Sequence, residues 1–316
     1  MLEIGKILLC CTFQLILFSA CKRESTHLTQ NDTPASGDIH IVADESFAPL
    51  LRTEASTFIK IYKDAKVNIS FLPEIDVVKA FFSDETIRLM IIARQLTGQE
   101  KEYFIKMGLP PREIKLAIDA IALIINSQNV DSNLQYQQVV DILSGKITSW
   151  KQINKDSPLE NIVLVFDNQK SSTVRYLSDK VLQGGQLSPS AFAVDSNRAV
   201  INYVKQDPSA IGVIGASWIS DTTDSVTQDI LKGITTIAVS SPGKAEIFYL
   251  PVKRYIYSMQ YPFLRELYII SQEKHSGLGT GFATYLASDE GQRIIQRSGL
   301  MPIDNAVRII ELKESF

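Results

Sequence analysis

Three small hydroxyl residues stand together where an apolar run gives way to a helical pattern, in the segment Val165-Phe166-Asp167-Asn168-Gln169-Lys170-Ser171-Ser172-Thr173-Val174-Arg175. The first amide groups of a helix lack internal partners, so hydroxyls beside them complete a cradle for an oxyanion. A plain helix cap by Ser171, Ser172 or Thr173 accounts for the same residues without a ligand. A second junction of this kind, Asp44-Glu45-Ser46-Phe47, follows an earlier apolar run. With one such junction in each of two lobes, both could close on a single anion.

Other chemistries find less support. The histidines are His27, His40 and His275, and none stands at metal-ligand spacing from another histidine or a cysteine, so no metal site is expected. The run Gly277-Leu278-Gly279-Thr280-Gly281 has the wrong spacing for a nucleotide loop and reads as a turn into a helix. Carboxylates such as Glu74, Asp76 and Asp167 are the residue types of acid–base or metal chemistry, but no complete catalytic constellation accompanies them. The expectation is therefore a binding protein with no catalytic residue and no cofactor. A formal net charge of −3 gives no basic surface for nucleic acid.

The elements that position these junctions alternate. Ile39–Ala43 reads as a strand, and Phe47, Leu50, Leu51, Phe58, Ile61 and Tyr62 recur at helical spacing after Ser46. Strand, helix and strand follow at 67–71, 75–82 and 87–92, and Thr97-Gly98-Gln99-Glu100 is a capping box opening a helix to about Met107. A long apolar strand from Ile114 to Asn126, a helix at 136–143, a strand at 162–166 and a helix from Ser172 or Thr173 to Leu182 make a second set. Beyond these come a helix at 196–205 and strands at 211–215, 234–239, 246–250 and 264–270. The last helices cover 279–287 and 289–297, stopping at Gly299 with Pro302 beyond. Alternating strands and helices predict an α/β fold of two lobes, each a mixed, mainly parallel sheet flanked by helices.

The N-terminus carries a different message. An apolar run from Ile7 to Leu17, with Glu3 and Lys6 before it, leads to Phe18-Ser19-Ala20-Cys21, the layout of a cleaved signal peptide whose cysteine accepts lipid. The run is too short for the roughly 20 residues of a membrane helix and contains Gln14. Cys10, Cys11 and Cys21 are the only cysteines, so a mature body cut before Cys21 has no disulfide, and Cys21 is its lipidation site. Residues 21–37 read as a flexible tether and the fold is expected from about Asp38. About 280 residues then remain, enough for two sizeable cores.

From Ile39 to Pro302 the chain resembles the PstS-like phosphate-binding substrate-binding proteins of ABC transporters, with their periplasmic-binding-protein type II fold. The resemblance rests on Ala93-Arg94-Gln95-Leu96-Thr97, on Ile118–Asn126, on Ile142-Leu143-Ser144-Gly145-Lys146-Ile147-Thr148-Ser149-Trp150 and on Ala210-Ile211-Gly212-Val213. Gln260–Tyr268 and Gly299-Leu300-Met301-Pro302 extend it to the C-terminus. It implies lobe 1 from residues 38–120 with 262–316 and lobe 2 from 121–261. It also implies a phosphate site at Ser46, Phe47, Ser171 and Thr173, and the hydroxyl of Ser172 between the last two is a further candidate.

The chain departs from the family at three places. The family's loop arginine falls on Asp167, its glycines in that loop on Lys170 and Ser172, and its first-lobe Gly-Ser-Gly turn on Glu74-Ile75-Asp76. An exchange of charge is one reading: Asp167 facing Arg88 or Arg94 across the cleft, with Lys170 restoring part of the lost positive charge and Glu74 near the ligand. The resemblance implies an extracytoplasmic protein, expected as a monomer, that captures phosphate or a related oxyanion for ABC permease subunits, and Cys21 adds the expected lipid anchor. The altered loop leaves open the same fold binding or sensing a different ligand.

Overall fold

Ile39–Ala43 forms the middle of strand β1 (Gly37–Asp44), and strands and helices alternate after it as the periodicity predicts. A computed structural model describes residues 32–110, 112–221 and 225–303. The signal peptide, Cys21, His27 and most of the tether lie outside them. Among the described residues no helix is long and apolar enough to cross a membrane.

After β1 come α1 (Ala48–Ile61), β2 (Ala65–Leu72), α2 (Glu74–Ser83), β3 (Ile87–Ile92), α3 (Gly98–Lys106) and β4 (Arg112–Asn126). β5 (Asn133–Leu134), α4 (Tyr136–Leu143), β6 (Val163–Phe166), α5 (Ser172–Tyr176), β7 (Phe192–Ala193), α6 (Asn197–Gln206) and β8 (Ala210–Gly215) follow. The remainder is α7 (Ser225–Leu231), β9 (Ile234–Thr236), β10 (Ala238–Ser241), β11 (Lys244–Tyr249), α8 (Lys253–Tyr257), β12 (Leu264–Ser271), α9 (Leu278–Ala287), α10 (Asp289–Arg297) and β13 (Met301–Pro302).

The strand order is β2-β1-β3-β12-β4-β8-β6-β7, with β9 and β13 also on β4. β1 runs parallel to β2 and β3, and β6 parallel to β7 and β8, while β12 and β4 run antiparallel to their neighbours. β4 joins the halves. It pairs with β12 up to Ala120, opposite Leu264, and with β8 from Ile121, opposite Gly215.

The period of two along β1 sorts its side chains between cores. Ile39, Ile41 and Ala43 pack with Phe58 and Phe282 on one face, and Val42 packs with Phe81 and Phe104 on the other. The second half has its own core, built on Ile121–Ile125, Val165, Val213 and Trp150. The molecule is therefore an α/β protein of two lobes. The capping box forms as expected: Thr97 Oγ1 accepts from the Glu100 amide, and the Glu100 carboxylate accepts from the Thr97 amide.

The structure changes three expectations. The apolar stretch 234–239 is two strands, because Ile237 donates to Leu123 O on β4 while β10 turns away to pair with β11 and β5. The helix after Ser171 has five α-helical residues before a π-helical turn, Leu177–Val181. Asp32, within the expected tether, already makes contacts with the folded body. Asp32 pairs with Arg88 and His275 and accepts from the Leu278 amide at the start of α9.

One buried carboxyl makes stability depend on pH. Glu54 on α1 is 0% exposed, and its oxygens have no hydrogen-bond partner among the described residues. Burial pushes it up to about 8, with the neighbouring Tyr285 hydroxyl pulling the other way. A carboxyl with a raised folded-state pKa binds its proton more tightly when folded. Its favourable contribution is complete below 4.5 and is lost as pH rises to about 8. Glu54→Gln should therefore raise the melting temperature at pH 8 by roughly 4–8 °C and flatten its decline between pH 5 and 8. A parallel pH profile for both proteins in thermal denaturation would refute this.

Candidate functional site

The turns that follow β1 and β6 meet at the middle of the molecule, although four strands separate the two in the sheet, and each turn is preceded by an aspartate. At the end of β1, Asp44 Oδ1 accepts from the Ser46 amide at 2.8 Å and holds the 3-10 turn Glu45–Phe47 that leads into α1. That cap belongs to Asp44 and not to Ser46. Ser46 Oγ is left with no partner among the described residues, as is Asp44 Oδ2, although both residues are buried. The Ser46 carbonyl accepts from Ser217 Oγ at 2.9 Å.

After β6, Asp167 Oδ1 accepts from the Asn168 amide at 2.9 Å and from Ser171 Oγ at 2.7 Å. Ser171 Oγ in turn accepts from the Val174 amide at 3.2 Å, so this hydroxyl is the cap of α5. Asn197, at the start of α6, accepts the Gly215 amide on its Oδ1 at 3.0 Å. Its Nδ2 is thereby turned to two acids, Glu45 and Asp167. Burial pushes Asp167 up to about 7, the Ser171 hydrogen bond lowers it in part, and Asp44 and Glu45 push it further up. Burial also raises Glu45.

The cation at this centre comes from a third element. Arg265 on β12 stands opposite Asp119 on β4, and its Nε donates to Asp119 Oδ2 at 2.8 Å. Its Nη1 donates to Ser172 Oγ at 2.8 Å and reaches Thr173 Oγ1 at 3.4 Å, and its Cζ lies 4.8 Å from the centre of the Phe47 ring. Nη2 has no partner among the described residues, and neither has Asp119 Oδ1. Both side chains are buried, Arg265 to 3% and Asp119 to 0% exposure. Burial works against the guanidinium's charge, but Asp119, Asp44 and Asp167 hold it protonated.

Gly215 makes the close approach possible. A Cβ there would stand 3.2 Å from Arg265 Nη2, 3.0 Å from the Ser46 carbonyl and 3.4 Å from Ser46 Cβ. Ser46 and Nη2 are thus neighbours at one point. A cleft of about 440 Å³ lined by Arg94, Gln95, Arg175, Tyr176 and Tyr268 leads to Arg265.

Of the residues singled out in the sequence, Ser46, Phe47, Asp167, Ser171, Ser172 and Thr173 come together here. Arg88 and Arg94 do not face Asp167. Arg88 sits at the level of His40 and Ile41 in the parallel register, short of Asp44 by roughly 10 Å at about 3.3 Å per residue. It pairs with Asp32 and Glu273 instead. Arg94 forms two hydrogen bonds with Glu100, at 2.7 and 2.8 Å.

Glu74 is not at the centre either. It receives Arg175 Nε and, at 3.1 Å, Nη2, and so clasps the first lobe to α5. Lys170 does not restore charge at the centre, because its ammonium lies 3.0 Å from Asp76 at the surface. Among the described residues no group of three or more His, Cys, Asp or Glu side chains is placed to hold a metal ion.

Arg265, Asp119, Asn197 and Asp44 were not picked out from the sequence as site residues. Two carried a signal. Arg265 falls in the same every-second-residue row as the inward residues Phe263 and Leu267, and Asp119 is a lone charge within the apolar part of β4. A charge facing inward on an apolar strand needs a partner.

Comparison with known proteins agrees with this architecture. A phosphate-binding protein PstS of Borreliella burgdorferi is 25% identical over 275 residues, which cover 84% of this chain and 90% of that protein. A phosphate-binding protein PstS of Staphylococcus epidermidis is 24% identical across 78% of this chain and 73% of its own length. A phosphate ABC transporter substrate-binding protein of Clostridium perfringens, solved with bound phosphate, superposes with a TM-score of 0.70 at 22% identity. That match covers 84% of this chain and all of the other. The model of the PBP superfamily domain matches residues 28–290, and with both lobes and most of its length inside that match, the chain belongs to the PBP superfamily.

Proposed function

We propose that the chain is an extracytoplasmic substrate-binding protein that captures phosphate, or a closely related oxyanion, between its lobes for an ABC transporter. One observation carries this reading. Among the described residues, Ser46 Oγ and Arg265 Nη2 are buried donors without partners on two side chains that both approach Gly215, and Asp44 Oδ2, two residues before Ser46, and Asp119 Oδ1, across the strand pair from Arg265, are buried acceptors without partners. Buried polar groups are rarely left unpaired. A protonated phosphate satisfies both kinds, with bare oxygens for the donors and P–OH for a carboxylate. Sulfate, fully ionised at neutral pH, meets those carboxylates as a repulsive neighbour.

The names and structures of the relatives support the same ligand class. The Ser19-Ala20-Cys21 layout supports a lipid anchor, and Cys21→Ser should move the protein from the membrane fraction to the soluble one. Binding needs no covalent chemistry; the protein is not an enzyme.

Calorimetric titration of the purified protein with phosphate, arsenate and sulfate tests the ligand. Phosphate and arsenate should bind, with sulfate at least tenfold weaker. Absence of heat with phosphate together with binding of another solute would replace this reading.

A further inference from the structure

The centre that would hold the oxyanion carries too much negative charge to do so unaided. The carboxyl groups of Asp44, Asp119 and Asp167, all buried, crowd the guanidinium of Arg265, and the part-buried Glu45, which has Arg52 on its far side, adds its charge beside Asp167. Asp119 already occupies one edge of that guanidinium. An anion arriving here adds to the excess, in surroundings where water screens little. We propose that the site takes up a proton together with its oxyanion, and that Asp167 holds this proton. The proposal rests on the phosphate reading above and concerns the regulation of the same site.

The hydrogen bonds single out Asp167. Ser171 Oγ accepts the Val174 amide and lies 2.7 Å from Asp167 Oδ1. While Asp167 is ionised, the one hydroxyl hydrogen of Ser171 is spent on it and none is left for a ligand. When Asp167 is protonated, its O–H donates to the free lone pair of Ser171 Oγ, and the Ser171 hydrogen turns to the anion. The same proton therefore removes a negative charge and supplies a donor.

The surroundings favour holding that proton. Asp167 is faced by Asp44 and Glu45 from the turn after β1, by Arg265 from β12 and by the neutral Asn197 from α6. Asn197 cannot turn its carbonyl toward the acids, because that oxygen accepts the Gly215 amide; two carboxyl groups share its single NH₂. Burial already pushes Asp167 up to about 7 without an anion present. A bound anion pushes it further, so affinity falls as pH rises above about 7, by up to about tenfold per pH unit for one linked proton.

The test compares the wild type with Asp167→Asn. Inorganic phosphate is titrated at pH 8 in two buffers of different ionisation enthalpy, which counts the protons taken up. The ³¹P chemical shift of the bound phosphate reports any change in its own ionisation. The wild type should take up close to one proton beyond that change, and D167N close to none. The ratio of wild-type to D167N affinity should fall more than tenfold between pH 7 and pH 9. Equal proton counts in the two proteins, or uptake fully matched by the ³¹P shift, overturn the proposal. If the variant does not fold, the wild-type count and the ³¹P shift decide alone. No phosphate binding at any pH from 5.5 to 9 would overturn the phosphate reading, and this inference with it. Binding without proton uptake by the protein overturns only the inference.

Discussion

Arg265→Lys should weaken phosphate binding by roughly tenfold to 100-fold while leaving a folded protein, an effect expected from losing one charge-assisted hydrogen bond worth about 1.5–3 kcal/mol. Lysine keeps a positive charge opposite Asp119 but has one nitrogen where arginine has three. It cannot at once reach Asp119, Ser172 and the point beside Gly215 where Nη2 ends. Arg265→Gln is a poorer test. It strands Asp119 in the interior, and breaking a buried ion pair costs about 3–5 kcal/mol, so lost binding would be confounded with lost folding. Titration of R265K by calorimetry, with its melting temperature recorded beside it, separates the two. Affinity within threefold of the wild type would remove Arg265 from the binding site.

The second large effect is expected at Glu74, where the lobes are joined. Its carboxylate, 2% exposed, accepts from Arg175 through two nitrogens and from the Ala93 amide at 3.3 Å, with Arg94 Nε 3.6 Å away. Arg175 also donates to the Ala93 carbonyl at 3.1 Å, and the Ile75 amide donates to the Lys170 carbonyl at 3.2 Å. Arg175 lies on α5, two residues beyond Thr173, the last of the three hydroxyl residues. The ion pair therefore holds the second-lobe half of the site against the first lobe.

Glu74→Gln keeps the shape and removes the charge, and Arg175 is then free to turn to Asp179 on its own segment. Because Arg175 is partly solvated, the loss is smaller than for a fully buried pair. Phosphate should dissociate about tenfold faster, a change of about 1.4 kcal/mol, and the phosphate-free protein should show a larger radius of gyration in X-ray scattering. An unchanged dissociation rate and an unchanged radius together would leave this contact with no part in closure.

How much of this could be read from the chain depends on the distance over which each feature is specified. The strand at Ile39–Ala43, the capping box at Thr97 and the glycine stop at Gly299, which adopts φ +87°, are local, and local signals predicted them. The two junctions at Ser46 and Ser171–Thr173 were legible for the same reason. The strand break at Ile237 was not, since an apolar run looks the same whether it stays on β4 or leaves for β11.

The Arg265–Asp119 pair illustrates the limit more sharply. Those residues meet only because β12 runs antiparallel to β4 in one register, with Leu264 opposite Ala120. The sequence offers Arg88, Arg94 and Lys170 as equally plausible partners for an altered loop. Only the parallel register of β1 and β3 and the clasps to Glu100 and Asp76 dispose of them. Asp167 was legible as an anomaly, a carboxyl in place of an expected cation. The fold shows that the guanidinium nearby is supplied from another strand.

The central claim is that the unpaired donors at Ser46 and Arg265 are made for an oxyanion. A crystal structure of the protein grown with phosphate tests it most directly. One anion is expected beside Gly215, with oxygens within about 3 Å of both Ser46 Oγ and Arg265 Nη2 and a carboxylate oxygen of Asp44 or Asp119 within hydrogen-bond distance of the anion. Phosphate bound elsewhere, or a centre that stays free of it while Arg265 keeps its present contacts at saturating phosphate, would contradict the account.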